Sequence, residues 1–142
     1  MKNLILTAAT ILVSSLAIGQ KINQTKVPSS VQAALLSQNP DQTKVKWEKE
    51  KQNYEASFLV DKVEHSMLID PLGSILETEV EIPMNQLPAP AVAYIKKNYD
   101  AKKIKETAKI TNTSKTTTYE AEVASMDLIF DSKGNFIKSI KE

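Results

Sequence analysis

A row of glutamates holds the side chains of this sequence most able to do chemistry. Glu77, Glu79 and Glu81 alternate with other residues, as carboxylates do when they share one face of a β-strand. Paired carboxylates can act as a general acid and base, but no nucleophile with a neighbouring base accompanies them. A matching row of lysines lies downstream at Lys103, Lys105 and Lys109. We therefore interpret the glutamates as a solvated strand face, which the lysines neutralise if the two strands are neighbours.

Metal ligation is the next chemistry that the residue types allow. His65 is the only histidine and there is no cysteine, whereas a zinc site needs about three or four ligands. Asp70 and Asp131 each open an Asp-x-x-Gly turn, which lacks the dense oxygen ligands of a calcium loop. We predict no metal, no cofactor and no catalytic residue, and we expect His65 to be a half-buried strand residue.

One pattern occurs twice along the chain. Tyr54-Glu55-Ala56 returns as Tyr119-Glu120-Ala121, and the Asp-x-x-Gly turn ending at Gly73 returns with Gly134. Glycines at equivalent places indicate one turn, with positive φ, used twice. Residues 27–82 and 87–142 are therefore predicted to be two structural repeats.

Each predicted repeat contains one helix followed by four strands. Val27-Pro28 and Leu87-Pro88 mark the helix starts, because proline suits a first turn in which its missing N–H would have no partner. Alternating apolar residues then predict strands at 44–49, 54–60, 63–69 and 75–82, and again at 103–111, 117–124, 126–131 and 136–141. The pattern predicts an α+β fold, a tandem repeat of helix plus four-stranded antiparallel meander, with the helices packed on one face of the sheet.

The strand pattern also assigns side chains to the two faces of the sheet. The face beneath the helices should carry Tyr54, Ala56, Phe58, Met67, Ile69, Tyr119, Val123, Leu128 and Phe130. The opposite face is mostly polar, but it includes Leu59, Leu68 and Ile129. An exposed apolar centre within a polar rim is typical of a protein-docking surface. These three residues are the candidate partner-binding site.

The N-terminal residues predict export. Residues 1–19 have Lys2, an apolar run and small residues before position 20, which is the pattern of a cleaved signal peptide. The run is too short to span a bilayer, and no cysteine is present to carry a lipid anchor. Residues 20–26 are interpreted as a disordered leader. Every basic residue is lysine, so the arginine fork common in nucleic-acid recognition is missing. We expect a periplasmic or secreted protein without a membrane anchor or nucleic-acid partner.

These motifs resemble the β-lactamase-inhibitor-like, PepSY-like family of exported bacterial proteins. The similarity covers residues 27–142 and rests on both hydrophobic-Pro helix starts, Trp47, both Tyr-Glu-Ala strands and both Asp-x-x-Gly turns. It implies a tandem α+β unit with an inhibitory or protein-binding role, although the cysteines that crosslink the true β-lactamase inhibitor are missing. The resulting hypothesis is a non-enzymatic interaction module that binds or inhibits another exported protein or peptidase. The alternative is a small-ligand carrier of the periplasm, using space between sheet and helices.

Overall fold

The computed structural model describes residues 19–100 and 103–141. Within them, two α-helices accompany one antiparallel sheet whose nine strands lie side by side in chain order. The elements are β1 (Gln20–Ile22), α1 (Ser29–Gln38), β2 (Lys46–Glu50), β3 (Asn53–Val60), β4 (Val63–Ile69), β5 (Ile75–Glu81), α2 (Ala89–Asn98), β6 (Ile104–Asn112), β7 (Thr117–Val123), β8 (Met126–Phe130) and β9 (Phe136–Lys141). The fold is therefore α+β, with one more strand than the sequence pattern predicted.

The additional strand is β1, so the prediction of a disordered leader over 20–26 is wrong. Ile22 lies opposite Trp47 in the β1–β2 pairing. A short 3₁₀-helix (Gln24–Lys26) follows, with the Asn23 side chain accepting a hydrogen bond from the Thr25 N–H. Tertiary pairing orders a stretch that has no hydrophobic pattern of its own. The predicted signal peptide, apart from Gly19, lies outside the described residues.

The two halves follow the same plan, and their helical elements recur at a spacing of 60 residues. The 3₁₀-helix Gln24–Lys26 and α1 recur as Met84–Gln86 and α2, each α-helix entered through a proline with φ of −55°. Val31 and Leu35 of α1 are buried at helical spacing, as are Ala91 and Ile95 of α2. Each helix packs on the strands that follow it and forms its own hydrophobic core.

Both helices lie on one face of the sheet. Met67 of the first core lies opposite Thr78, Thr78 opposite Thr111, and Thr111 opposite Thr117, which shares a strand face with Ala121 of the second core. Cross-strand neighbours point to the same side, so this row joins the two cores across the sheet. All nine residues predicted to lie beneath the helices belong to these cores or pack against them, which confirms that assignment.

The two glycine turns have the same geometry, as the sequence predicted. Gly73 has φ of +90° and Gly134 of +87°, and each donates its N–H to the carbonyl of the aspartate three residues earlier. Each aspartate carboxylate accepts from the backbone N–H groups two and four residues later. Hydrogen bonds with Ser74 and Asn135, respectively, are the main cause that lowers the pKa of Asp70 and Asp131. The register also shifts beside both turns, at Leu68/Ile69 and Ile129/Phe130.

Replacing either turn glycine should destabilise the fold. A Cβ at Gly134 would lie 2.7 Å from the Pro88 Cβ and 3.0 Å from the Ala91 nitrogen, and φ there is +87°. We expect Gly134→Ala to lower the free energy of unfolding by about 1–3 kcal/mol, measured by urea denaturation. Ser132→Ala, in the same turn, is the control and should change little. An unchanged unfolding midpoint in Gly134→Ala would contradict the close packing of this turn against α2.

Candidate functional site: the concave acidic face

The face of the sheet opposite the helices is concave. One small cavity is lined jointly by Glu55 of β3, Leu68 of β4, Ile110 of β6 and Glu120 of β7. In a flat sheet, strands four positions apart would be separated by about 19 Å. The sheet must therefore curl around this side, which we call the concave face.

Glutamates dominate the larger cavity on the concave face. This cavity has a volume of about 150 Å³, and β3 to β7 all contribute to its lining. Its carboxylates are Glu55, Glu64, Glu79, Glu81, Glu106, Glu120 and Glu122. Both repeats supply them, and Glu55 and Glu120 occupy equivalent places in the two Tyr-Glu-Ala strands. The cavity is therefore acidic, and its carboxylates repel one another when they are ionised.

The sheet register determines which lysines of β6 can reach the cavity glutamates. Glu79 lies opposite Ile110 and Glu81 opposite Ala108, whereas Lys109 lies opposite Val80 and therefore on the helix side. A register shift at Ile104/Glu106 allows Lys105 to form an ion pair with Glu122. That ion pair joins β6 to β7 and not to the predicted glutamate row, and Lys109 lies on the opposite face from Glu79 and Glu81, so the prediction that Lys109 helps to neutralise that row is wrong.

Two of the glutamates titrate far above the ordinary range of a carboxyl group. Burial is the first cause, followed by neighbouring carboxylates, and together they raise the pKa of Glu79 to about 8 and of Glu120 to about 9. Burial also raises the pKa of Glu106 and of Glu55, the latter opposed by a hydrogen bond with Ser66. At pH 7 Glu79 and Glu120 are therefore mostly protonated, so the interpretation of a solvated row is wrong at Glu79.

The three candidate partner-binding residues lie on the predicted face but do not form an exposed centre. Leu68 is only 8% exposed and Ile129 is fully buried, whereas Leu59 is 61% exposed. Leu59 borders a different groove, beside Lys44 and Val45. The expected apolar docking centre is therefore wrong, because the curvature of the sheet buries Leu68 and Ile129 in the concave face.

The remaining candidates behave as structural residues. His65 is half-buried, as predicted, and its ring stacks on Phe58 with 5.9 Å between centroids.

Within residues 19–100 and 103–141, no group of three or more Asp, Glu, His or Cys side chains is placed to hold a metal ion. Among the helices of this same part of the chain, none is long and apolar enough to cross a membrane.

Comparison with protein-family models gives one match, found twice. The family described as "Putative beta-lactamase-inhibitor-like, PepSY-like" matches residues 17–77 and 70–138. The two matches correspond to the two halves of the chain. No curated protein matches the sequence.

Solved structures share the fold at low sequence identity. A "putative periplasmic" protein from Bacteroides eggerthii has a TM-score of 0.70 and 16% identity, over 81% of this chain and 88% of that one. A DUF2874 family protein from Bacteroides ovatus has a TM-score of 0.68 and 15% identity, covering 80% and 86%. A BLIP-like protein from Bacteroides fragilis has a TM-score of 0.59 and 24% identity, covering 80% and 86%.

Proposed function

The chain belongs to the β-lactamase-inhibitor-like, PepSY-like family, and on that premise we propose that it is a non-enzymatic, exported protein that binds another exported protein through its concave face. The glutamate-lined cavity is the observation that carries the proposal. The inhibitor-like family description supports a binding role over a catalytic one. Export is supported by the predicted signal peptide and by fold neighbours described as periplasmic.

The charge of the concave face specifies the chemistry of the partner. Seven glutamates line the cavity, and Lys105 forms an ion pair with one of them, Glu122. A lysine- or arginine-rich segment of the partner would relieve their mutual repulsion. A cation near a carboxylate also favours its ionised form, so binding should release the protons held by Glu79 and Glu120. The proposed partner is therefore a cationic protein segment, and its affinity should rise with pH.

An oligolysine peptide is the probe that tests this function. We expect calorimetry to show binding that weakens with added salt and that tightens between pH 6 and pH 9. Glu64→Gln and Glu81→Gln each remove an exposed carboxylate at the edge of the cavity. Each should weaken binding by about two- to fivefold, as expected for solvent-exposed ion pairs.

Asp61→Asn is the matched control for these variants. Asp61 is an exposed carboxylate in the turn between β3 and β4, and it does not line the cavity. Its replacement should leave the affinity within error of the unmodified protein. Equal losses in the control and the cavity variants would mean that oligolysine binds by overall charge alone. Either that result or no binding at low salt would contradict the proposal.

A further inference from the structure

A separate cavity, on the helix side of the sheet, shares no lining residue with the acidic cavity of the concave face. It lies between the C-terminal half of α1, the segment 40–45 and β2, and it has a volume of about 400 Å³. Small-molecule sites in proteins usually measure roughly 300–1,000 Å³. Its apolar lining consists of Leu35, Leu36, Pro40, Val45 and Trp47. We call it the Trp47 groove.

Trp47 has a buried hydrogen-bond donor without an acceptor. Its side chain is only 4% exposed, and its indole Nε1 finds no partner within residues 19–100 and 103–141. Buried polar groups are normally hydrogen-bonded, so the unpaired indole N–H of a residue that lines this groove points to a missing acceptor. The amide nitrogens of the rim glutamines Gln24, Gln32 and Gln42 already donate to protein oxygens.

The second repeat shows what this position is like when its hydrogen bond is satisfied. Trp47 lies opposite Ala56, and the equivalent Ala121 lies opposite Thr107. The Thr107 hydroxyl donates to the Ile82 carbonyl, so this buried polar group has a partner.

The two repeats also differ at the surface of the helix. At the 60-residue spacing of the helices, Leu36 corresponds to Lys96. Leu36 is 44% exposed, so the first repeat keeps an apolar side chain at the surface where the second has lysine.

The lining of the Trp47 groove also defines the charge of its ligand. None of the lining residues carries a formal charge, so an ionised ligand would lose hydration without gaining a counter-ion. We propose that the Trp47 groove binds an uncharged, mainly apolar small molecule whose carbonyl or ether oxygen accepts a hydrogen bond from the Trp47 indole N–H.

The segment 42–45 is the wall that must yield for a ligand to reach the shielded indole nitrogen. It has no strand pairing, because β2 begins at Lys46 opposite Ser57. The Trp47 groove borders one side of this segment, and a separate groove of about 670 Å³ borders the other. Thr43 and Lys44 are exposed, so opening of the segment would mainly require Val45 to leave the first core and Gln42 to release the Leu59 carbonyl.

The single tryptophan of the chain gives a direct test. One indole N–H resonance is expected in a nitrogen–proton NMR spectrum, and methyl octanoate should move it downfield saturably as the hydrogen bond forms. Octanoate, of the same chain length but charged, should bind at least tenfold more weakly. Equal affinity for ester and carboxylate, or no saturable shift up to the solubility limit of the ester, would overturn the proposal.

Leu36→Lys is the variant that should close the groove. It introduces the residue that the second repeat has at the equivalent, exposed helix position, so the fold should be retained. We expect it to weaken methyl octanoate binding at least tenfold, while Leu72→Lys, in an exposed turn outside the groove, leaves binding unchanged. Unaltered binding in a folded Leu36→Lys variant would also overturn the proposal.

Discussion

The protein should be more stable at pH 5 than at pH 9, and Glu79 and Glu120 should cause most of the difference. Their pKa values rise on folding from an ordinary 4.5 to about 8 and about 9. Between those values the folded protein binds more protons than the unfolded chain, so the free energy of unfolding falls as pH increases. The stabilisation is complete below about pH 4.5 and is lost as pH rises through 8 and 9.

The expected size of this loss is on the order of a few kcal/mol. One pKa unit corresponds to about 1.4 kcal/mol, and partial solvation of both side chains reduces the total. The lowered pKa values of Asp70 and Asp131 act in the opposite direction, but only at pH below about 4. They therefore do not mask the effect of the glutamates between pH 5 and pH 9.

Glu79→Gln and Glu120→Gln provide the measurement. Glutamine resembles a protonated glutamate in shape and cannot ionise, so each variant should match the unmodified protein at pH 5 and exceed its stability at pH 9. Urea denaturation at pH 5, 7 and 9 gives the comparison, with Asp61→Asn as the exposed control that keeps the original pH dependence. A stability that is flat or rises from pH 5 to pH 9 would contradict the burial of these carboxylates.

Local sequence patterns predicted the elements and the facing of their side chains well. Proline has a fixed φ that suits the start of a helix, and a φ near +90° is a conformation that few residues other than glycine adopt. Both signals therefore act locally and do not depend on distant parts of the chain. Alternation along β3, β4, β7 and β8 similarly places every second side chain beneath the helices. The family resemblance rested on these same motifs, and the family match confirms it.

The curvature of the sheet could not be predicted in this way. It results from strand twist and register shifts added over nine strands, and no short segment encodes that sum. Period-two alternation correctly assigned Glu79 and Ile129 to the face opposite the helices. It could not indicate that this face folds inward, which buries Ile129 and raises the pKa of Glu79.

Pairing between distant segments accounts for the other errors. β1 is polar at Gln20 and Lys21, and it is ordered by β2, which begins more than 20 residues later. The register shift in β6 brings Lys105 to Glu122, although simple alternation placed it opposite the glutamates of β5.

One signal in the sequence did point to the acidic site. The Tyr-Glu-Ala motif places a glutamate on the concave face in both repeats, at Glu55 and Glu120.

Truncating Ile129 should be among the most destabilising single changes on the concave face. Its side chain is fully buried although it faces away from both helices, and its strand neighbours there are Glu120 and Lys138. Ile129→Ala would leave a cavity that the surrounding sheet can fill only in part. We expect the free energy of unfolding to fall by about 2–5 kcal/mol, measured by urea denaturation at pH 5, where the glutamates are least charged.

Leu59→Ala tests the contrast between the two ends of this face. Leu59 is 61% exposed, so its truncation should change the free energy of unfolding by no more than about 0.5 kcal/mol. Ile129→Val removes a single methylene and should cost about 0.5–1.5 kcal/mol, so the loss should increase with the volume removed. An Ile129→Ala variant as stable as Leu59→Ala would mean that the sheet is flat and that Ile129 is open to solvent. In that case the acidic cavity would not form in solution, because the curvature that buries Ile129 also brings Glu55 and Glu120 to one cavity.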